Sequence, residues 1–246
     1  MKKWILVVLF LPSQLLIVNA QNIDNQVWLE YLLQYPFANS YNLENALVYS
    51  TVAGDPKWKA YDYSPTLEYS LNQNIDFSAG ATFSYTKQTE TYNTFEIRPV
   101  LGTRIHLTPN RRVMVRVLAR VESRNFQNLE THQWEKVIRP RFRVESLIPI
   151  NKKSFFENKL WYAIADVEWL MAVDPDVQEL FANRLRVRTG VGYRLNYSFR
   201  FEFIFMNQQS RDGINESLTS SDNIFRFRIK HFLRQTKPSK ATDIGN

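Results

Sequence analysis

From Arg184 to Leu195 the chain reads Arg-Leu-Arg-Val-Arg-Thr-Gly-Val-Gly-Tyr-Arg-Leu, with charge or glycine on one face and mostly apolar residues on the other. Period two belongs to a β-strand, whose successive side chains point to opposite sides. Such a strand needs water or ionic partners on one side and hydrocarbon on the other. The same writing recurs. Arg112, Arg116, Arg120 and Arg124 share a face opposite Val113, Val115, Val117, Ala119 and Val121, and Arg226, Arg228 and Lys230 oppose Phe225, Phe227 and Ile229.

The alternation predicts strands near 41–52, 63–71, 75–87, 94–107, 112–125, 134–147, 157–171, 183–196, 198–208 and 223–233. These are long for a soluble sheet, where five or six residues is typical, and suit a tilted strand crossing a bilayer. Turn residues separate them at Asn72-Gln73-Asn74, Thr108-Pro109-Asn110, Pro149-Ile150-Asn151 and Asn196-Tyr197-Ser198. Tight turns alternate with longer polar segments at 53–62, 88–93, 126–133, 172–182 and 209–222. Outer-membrane barrels show this asymmetry, with short periplasmic turns and long outer loops. If 41–52 runs outward, both termini lie in the periplasm and the count is ten. The segment 26–37 stays unplaced: Val27, Leu29, Tyr31 and Leu33 alternate with Trp28, Glu30, Leu32 and Gln34. It fits an extra strand, half of another hairpin, or a periplasmic lead-in. The expectation is an all-β, closed, antiparallel, up-and-down transmembrane barrel of about ten strands, with twelve as the alternative.

The ends of the chain set its address. Lys2 and Lys3, an apolar run from Trp4 to Leu11, a second from Leu15 to Val18, and Val18-Asn19-Ala20 make residues 1–20 a secretory signal peptide cleaved after Ala20. Pro12, Ser13 and Gln14 break the apolar stretch, which is short for a membrane anchor. Residues 21–233 then form one barrel domain, and the polar 234–246 segment, with Pro238, a disordered tail. The chain has no cysteine, which excludes disulfides, thiolate metal sites and lipid attachment to an N-terminal cysteine. The net charge is +7, but its arginines lie within strand patterns rather than in a tail. With an export signal ahead of them, this speaks against nucleic acid as a partner and for a charged interior.

Assigning apolar positions outward yields a band of Phe95, Ile97, Leu101 and Ile105; Phe142 and Val144; Trp161, Ala163, Ala165, Val167 and Trp169; and Phe199, Phe201, Phe203 and Phe205. Lipid contact requires such an uncharged surface. Tyr61, Tyr63, Tyr85, Trp134, Tyr193 and Tyr197 lie near strand ends, where aromatic rings sit at the membrane interface. The alternative is a soluble sandwich or lipocalin-like barrel with these residues as its core and the arginines outside.

The inner face then carries a charge network. Its candidate cations are Arg98 and Arg104, Arg116 and Arg120, Arg141 and Arg143, Arg186 and Arg188, and Arg228. The candidate carboxylates are Glu96, Glu122, Glu145, Asp166, Glu168 and Glu202. Arg112, Arg124, Arg139, Arg184, Arg194, Arg200 and Arg226 share the basic face, and Glu44, Glu68 and Asp76 the acidic set. Cations exceed acids. The surplus serves either a salt-bridged interior that lets a small barrel close or the attraction of a small anion or acidic glycan. Gly190 and Gly192 share this face and make room there for neighbouring arginine stems or bend the strand.

Chemistry is sparse. His106, His132 and His231 have no metal-ligand spacing, Gly-x-Ser-x-Gly is absent, and neither a metal nor a cofactor is implied. A membrane-embedded hydrolase would pair His132 with Asp174, Asp176 or Asp212.

The closing stretch, Arg184 to Leu195 followed by Ser198-Phe-Arg-Phe-Glu-Phe and Asn223-Ile-Phe-Arg-Phe-Arg-Ile, resembles an uncharacterised bacterial outer-membrane β-barrel family of unknown function, family 2490. Val27-Trp28 followed by Tyr31 looks like its opening strand. The likeness covers nearly the whole mature chain. It implies a Gram-negative outer-membrane barrel in contact with outer-membrane lipid, and it brings no catalytic or binding residues. Many such barrels end on an aromatic residue of the last strand, whereas here a polar tail follows Phe232-Leu233. The functional expectation is a structural, binding or narrow anion-preferring transport role. A hydrolase and a soluble periplasmic barrel for an acidic ligand are the alternatives.

Overall fold

The computed structural model describes residues 24–38, 40–88, 93–109, 111–171, 184–210 and 219–233. The export segment 1–20 and the tail 234–246 lie outside these residues, as do Asp174, Asp176 and Asp212. Among the described residues eleven strands follow one another: β1 (Asp24–Phe37), β2 (Tyr41–Val52), β3 (Asp55–Ser70), β4 (Ile75–Lys87), β5 (Asn93–His106), β6 (Met114–Asn128), β7 (Trp134–Pro149), β8 (Leu160–Leu170), β9 (Arg184–Arg194), β10 (Phe199–Ser210) and β11 (Thr219–Phe232). Each pairs with its sequence neighbours, and β1 pairs with β11 to close the barrel.

The count of eleven falls between the expected ten and twelve because the unplaced segment is one strand. It bonds antiparallel to β2 on one side and to β11 on the other. An odd number of alternating strands leaves the first and last pointing the same way, so the closing pair is parallel, in register from Asp24↔Asp222 to Gln34↔Phe232. The barrel is therefore antiparallel everywhere except at this seam. The first and last described residues therefore lie at opposite ends of the barrel, not together as expected. We call these the Asp24 end and the Phe232 end.

The expected loop 53–62 is a second correction. Only residues 53–54 turn, and β3 begins at Asp55. The polar stretch with Pro56 hid a strand whose Lys59, Ala60 and Tyr61 pair with Thr51, Ser50 and Tyr49 of β2. Pro65 also falls inside β3, where the β3–β4 register skips between Tyr63↔Phe83 and Thr66↔Gly80. Proline has no N–H for the ladder, and Pro99 interrupts the β5–β6 register in the same way. Connection lengths consequently alternate less cleanly than expected, since 53–54 lies at the Asp24 end and the long 150–159 connection at the Phe232 end.

The two faces are inverted relative to a water-soluble fold. Leu101 is 67 % and Trp169 56 % exposed on the outside, while Glu168 on the inside is 0 % and Glu122 1 %. Charged groups are seldom fully buried unless paired, and both of these carboxylates are paired with arginine. Apolar packing does occur inside, at the Phe232 end, where Leu147, Phe155, Leu160, Tyr162, Ile164 and Ile204 cluster. Outside, aromatic rings gather toward both rims. Tyr35, Phe37, Tyr41 and Tyr69 form a chain with centroids 6.3, 5.8 and 5.0 Å apart, Trp161 meets Tyr193 at 4.7 Å, and Tyr49 meets Tyr61 at 5.2 Å.

Candidate functional site

Because β6, β7, β8 and β9 are consecutive and antiparallel, their inward residues stand directly opposite one another: Glu122 faces Arg139, Glu168 faces Arg186, and Asp166 faces Arg188. Cross-strand ion pairs form at these positions. Glu122 accepts from Arg139 Nη2 at 2.8 Å and Arg141 Nη1 at 2.5 Å. Arg141 turns its other amino group to Glu168 Oε1 at 2.6 Å, so one guanidinium bridges two carboxylates. Glu168 also lies 3.6 Å from both Arg186 and Arg188 and 4.0 Å from Arg120, and Arg188 Nε donates to Asp166 at 2.5 Å.

Around this chain stand four smaller groups. Glu145 pairs with Arg116 and lies 3.9 Å from Arg143. Glu96 receives Nε and Nη2 of Arg98, both at 2.7 Å, and Arg124 at 2.8 and 3.1 Å, so two forks share one carboxylate. Arg104 reaches Glu68 at 2.8 Å and Asp76 at 3.7 Å. Across the parallel seam, Glu30 binds Arg228 at 2.7 Å and Arg226 at 3.5 Å, while Glu202 takes Arg228 at 3.1 Å, Lys230 at 3.0 Å and the Tyr162 hydroxyl at 2.7 Å.

All fifteen candidate network residues face the interior, and each has an opposite charge within 4.0 Å. Sequence reasoning missed three participants. Glu30 sat in the unplaced segment, Tyr162 was not singled out, and Asp222, bound by Gln26 at 2.8 Å and Gln208 at 2.5 Å, preceded the expected last strand. The inward-facing parity of Glu30 with Trp28 and Leu32 was the available signal.

The wall formed by β2–β4 is built differently. Beside the carboxylates Glu44, Glu68 and Asp76, many of its inward positions are small, among them Ser50, Ala60, Ser64, Thr66, Ser78, Gly80, Thr82 and Ser84. The cavity between Arg143, Glu145, Asp166, Arg188, Glu202 and Arg228 measures about 20 Å³, on the order of one water. Arg104, Arg116 and Arg120 keep 25, 22 and 26 % of their side chains accessible, so what water the interior holds touches them. A larger hollow of about 510 Å³ is a groove on the outer face, over Ala79, Thr103, Ala119 and Pro140, and does not belong to the lumen.

The histidines are dispersed. His106 faces inward and bonds Asp76 at 2.7 Å. His231 is on the outer face, bonded to the Tyr31 hydroxyl at 2.7 Å and stacked on Phe199 at 4.3 Å. His132 lies in the connection at the Asp24 end with a φ of 58°. Its three candidate aspartates are outside the described residues.

Gly190 and Gly192 do make room, but not for arginine. A Cβ on Gly192 would overlap the Tyr162 ring, and one on Gly190 would meet the β10 backbone at Phe203 O, 2.5 Å away. Residues 25–218 match the family described as "Protein of unknown function (DUF2490)". No curated protein matches the chain.

Proposed function

The chain belongs to the DUF2490 family, and we propose that it is an outer-membrane β-barrel whose lumen is a closed ionic core, serving a structural or binding role. The inversion of the two faces carries this reading: exposed Leu101, Val121, Phe142, Val144, Trp161 and Trp169 surround carboxylates buried to 0–8 %. Water would penalise that outer face and hydrocarbon would welcome it. On β8, Trp161 and Trp169 bracket Ala163, Ala165 and Val167, and stand about 26 Å apart along the strand. At a tilt near 40° that spans roughly 20 Å of height, close to the apolar band of such barrels. The signal-peptide pattern of residues 1–20 supports export to that membrane.

Fractionation tests this reading. The mature protein is expected in the outer-membrane pellet, resistant to salt and released only by detergent. A folded, detergent-free monomer in the soluble periplasmic fraction would overturn it in favour of a soluble barrel. The accessible Arg104, Arg116 and Arg120 favour a second reading, a narrow anion-preferring passage along the small-residue wall.

A further inference from the structure

At the Phe232 end, Arg194 of β9 and Arg200 of β10 stand directly opposite each other on the inner face. Like charges in this position repel across a sheet. Arg194 is 3 % exposed, Arg200 is half-buried, and each keeps a buried Nε with no hydrogen-bond partner. Arg120, Arg141, Arg143, Arg188 and Arg226 also keep an unbonded nitrogen, yet each of them has a carboxylate within 4.0 Å. Among the described residues Arg194 and Arg200 have none. Glu202, the next inward residue on β10, is already occupied by Tyr162, Arg228 and Lys230.

Aromatic rings do contact the pair. Phe155 lies 5.6 Å from the Arg194 guanidinium and 5.4 Å from that of Arg200, and Phe232 lies 4.2 Å from Arg200. A ring face attracts a cation but accepts no hydrogen bonds of the strength an anion would. Phe155 is held in place by an edge contact with Tyr162 at 4.9 Å and by the 150–159 connection, which Asn151 closes through Lys159 O and Trp161 N. That connection and its neighbour add Arg111, Arg112, Lys152, Lys153 and Lys159 around this mouth, against Glu157. The field at the mouth concentrates anions.

We propose that Arg194 and Arg200 form a binding site for a phosphate or phosphomonoester group at the Phe232 mouth of the lumen, roofed by Phe155. Two guanidinium forks present donors in pairs, and a phosphate supplies enough acceptor oxygens to engage both at once. Its charge cancels the repulsion that the bare pair would suffer. The site gives the binding role proposed above a ligand class, and it rests on the inward placement of these arginines. The membrane address is not needed for it.

The test uses the mature chain refolded in phosphate-free zwitterionic detergent, with unfolding midpoint and calorimetric affinity measured against inorganic phosphate. Phosphatidylcholine vesicles with and without phosphatidic acid form a second arm. Phosphate should raise the wild-type midpoint. Arg194→Gln and Arg200→Gln should each weaken binding roughly tenfold or more, and without phosphate should unfold no earlier than wild type, since each removes the repulsion. Arg200→Lys, which keeps the charge but loses the fork, should bind at an intermediate level and serves if a glutamine variant fails to refold. Stabilisation by phosphatidic acid vesicles alone would name a lipid headgroup as the source, and stabilisation by soluble phosphate would name the free anion. No response of wild type to either, or equal affinity in the variants, overturns the proposal. Phosphate binding by a protein recovered in the soluble fraction would sink the membrane reading and leave this site standing.

Discussion

Glu168 shows how the interior is held at the level of one residue. Four arginines surround its fully buried carboxylate, so Glu168→Ala leaves cations unpaired in a place that water does not reach. Breaking a buried pair from one side costs roughly 3–5 kcal/mol, and denaturant unfolding in micelles should show a loss of that size. Arg186→Gln should cost much less, because Glu168 keeps Arg141 and Arg188, and Gln208, now bonded to Arg186 Nε at 2.7 Å, can turn to another partner. Gly192→Ala should destabilise by about 1–3 kcal/mol, since its methyl group must displace Tyr162 and loosen that hydroxyl from Glu202. In the Tyr162→Leu background the same substitution should cost clearly less, and equal costs in both backgrounds would show that the ring is not what Gly192 accommodates. The basic face itself was legible in the sequence because period two fixes which residues share a side. The partners were not, because pairing Arg141 with both Glu122 and Glu168 depends on the registers of three strands, and nothing within one strand encodes those. For the same reason the space at Gly192 could be foreseen and its occupant, Tyr162, could not.

Among elements, the parallel seam is the unusual one. Parallel ladders are slightly weaker per residue than antiparallel ones, and here side chains lock the pair from both faces. Inside, Glu30 holds Arg228 and Arg226, and Arg226 lies 4.5 Å over Trp28; outside, Tyr31 bonds His231. Glu30→Gln should therefore loosen β1 and β11 selectively, by about 2 kcal/mol, so that their amides exchange roughly thirtyfold faster while β6 and β7 are little changed. Uniform acceleration around the barrel would mean that closure depends on the backbone ladder and not on this ionic lock. The seam also marks where sequence reading runs out. Hairpins announce themselves through a turn between two alternating runs, and β4 was legible to the residue at both ends. The partner of β1 on its far side is the last strand of the chain, so no turn connects them, and apolar Leu32 on the inner face blurred the alternation. Pro56 concealed the first half of β3 by a different route, since proline in a strand normally argues against one.

For the whole molecule the central question is which solvent meets which face. Phe205→Arg puts a cation on the apolar outside, level with Ala165 midway between Trp161 and Trp169, which at the middle of a bilayer costs roughly 2–4 kcal/mol, so its folding yield in lipid vesicles should fall well below that of Arg186→Gln. Equal yields would mean that the outer face does not meet lipid. The interior poses the matching question of passage. Glu168, Tyr162, Leu160, Leu170 and Met206 are fully buried on the inner face, and the cavity beside Arg188 has room for about one water. A lumen filled in this way should be silent in planar bilayers. Removing the large ring at the apolar end by Tyr162→Ala should let water in beside Arg200 and Arg228, and ions should then pass in small steps. Because the surrounding wall carries more arginine than carboxylate, the reversal potential in a salt gradient should favour anions, and the preference should weaken as salt screens the field. Anion-selective steps from the wild type would move the balance to the narrow-passage reading, with Arg104, Arg116 and Arg120 along its path. Cation selectivity in either protein would contradict both readings, since it requires an interior field of the opposite sign.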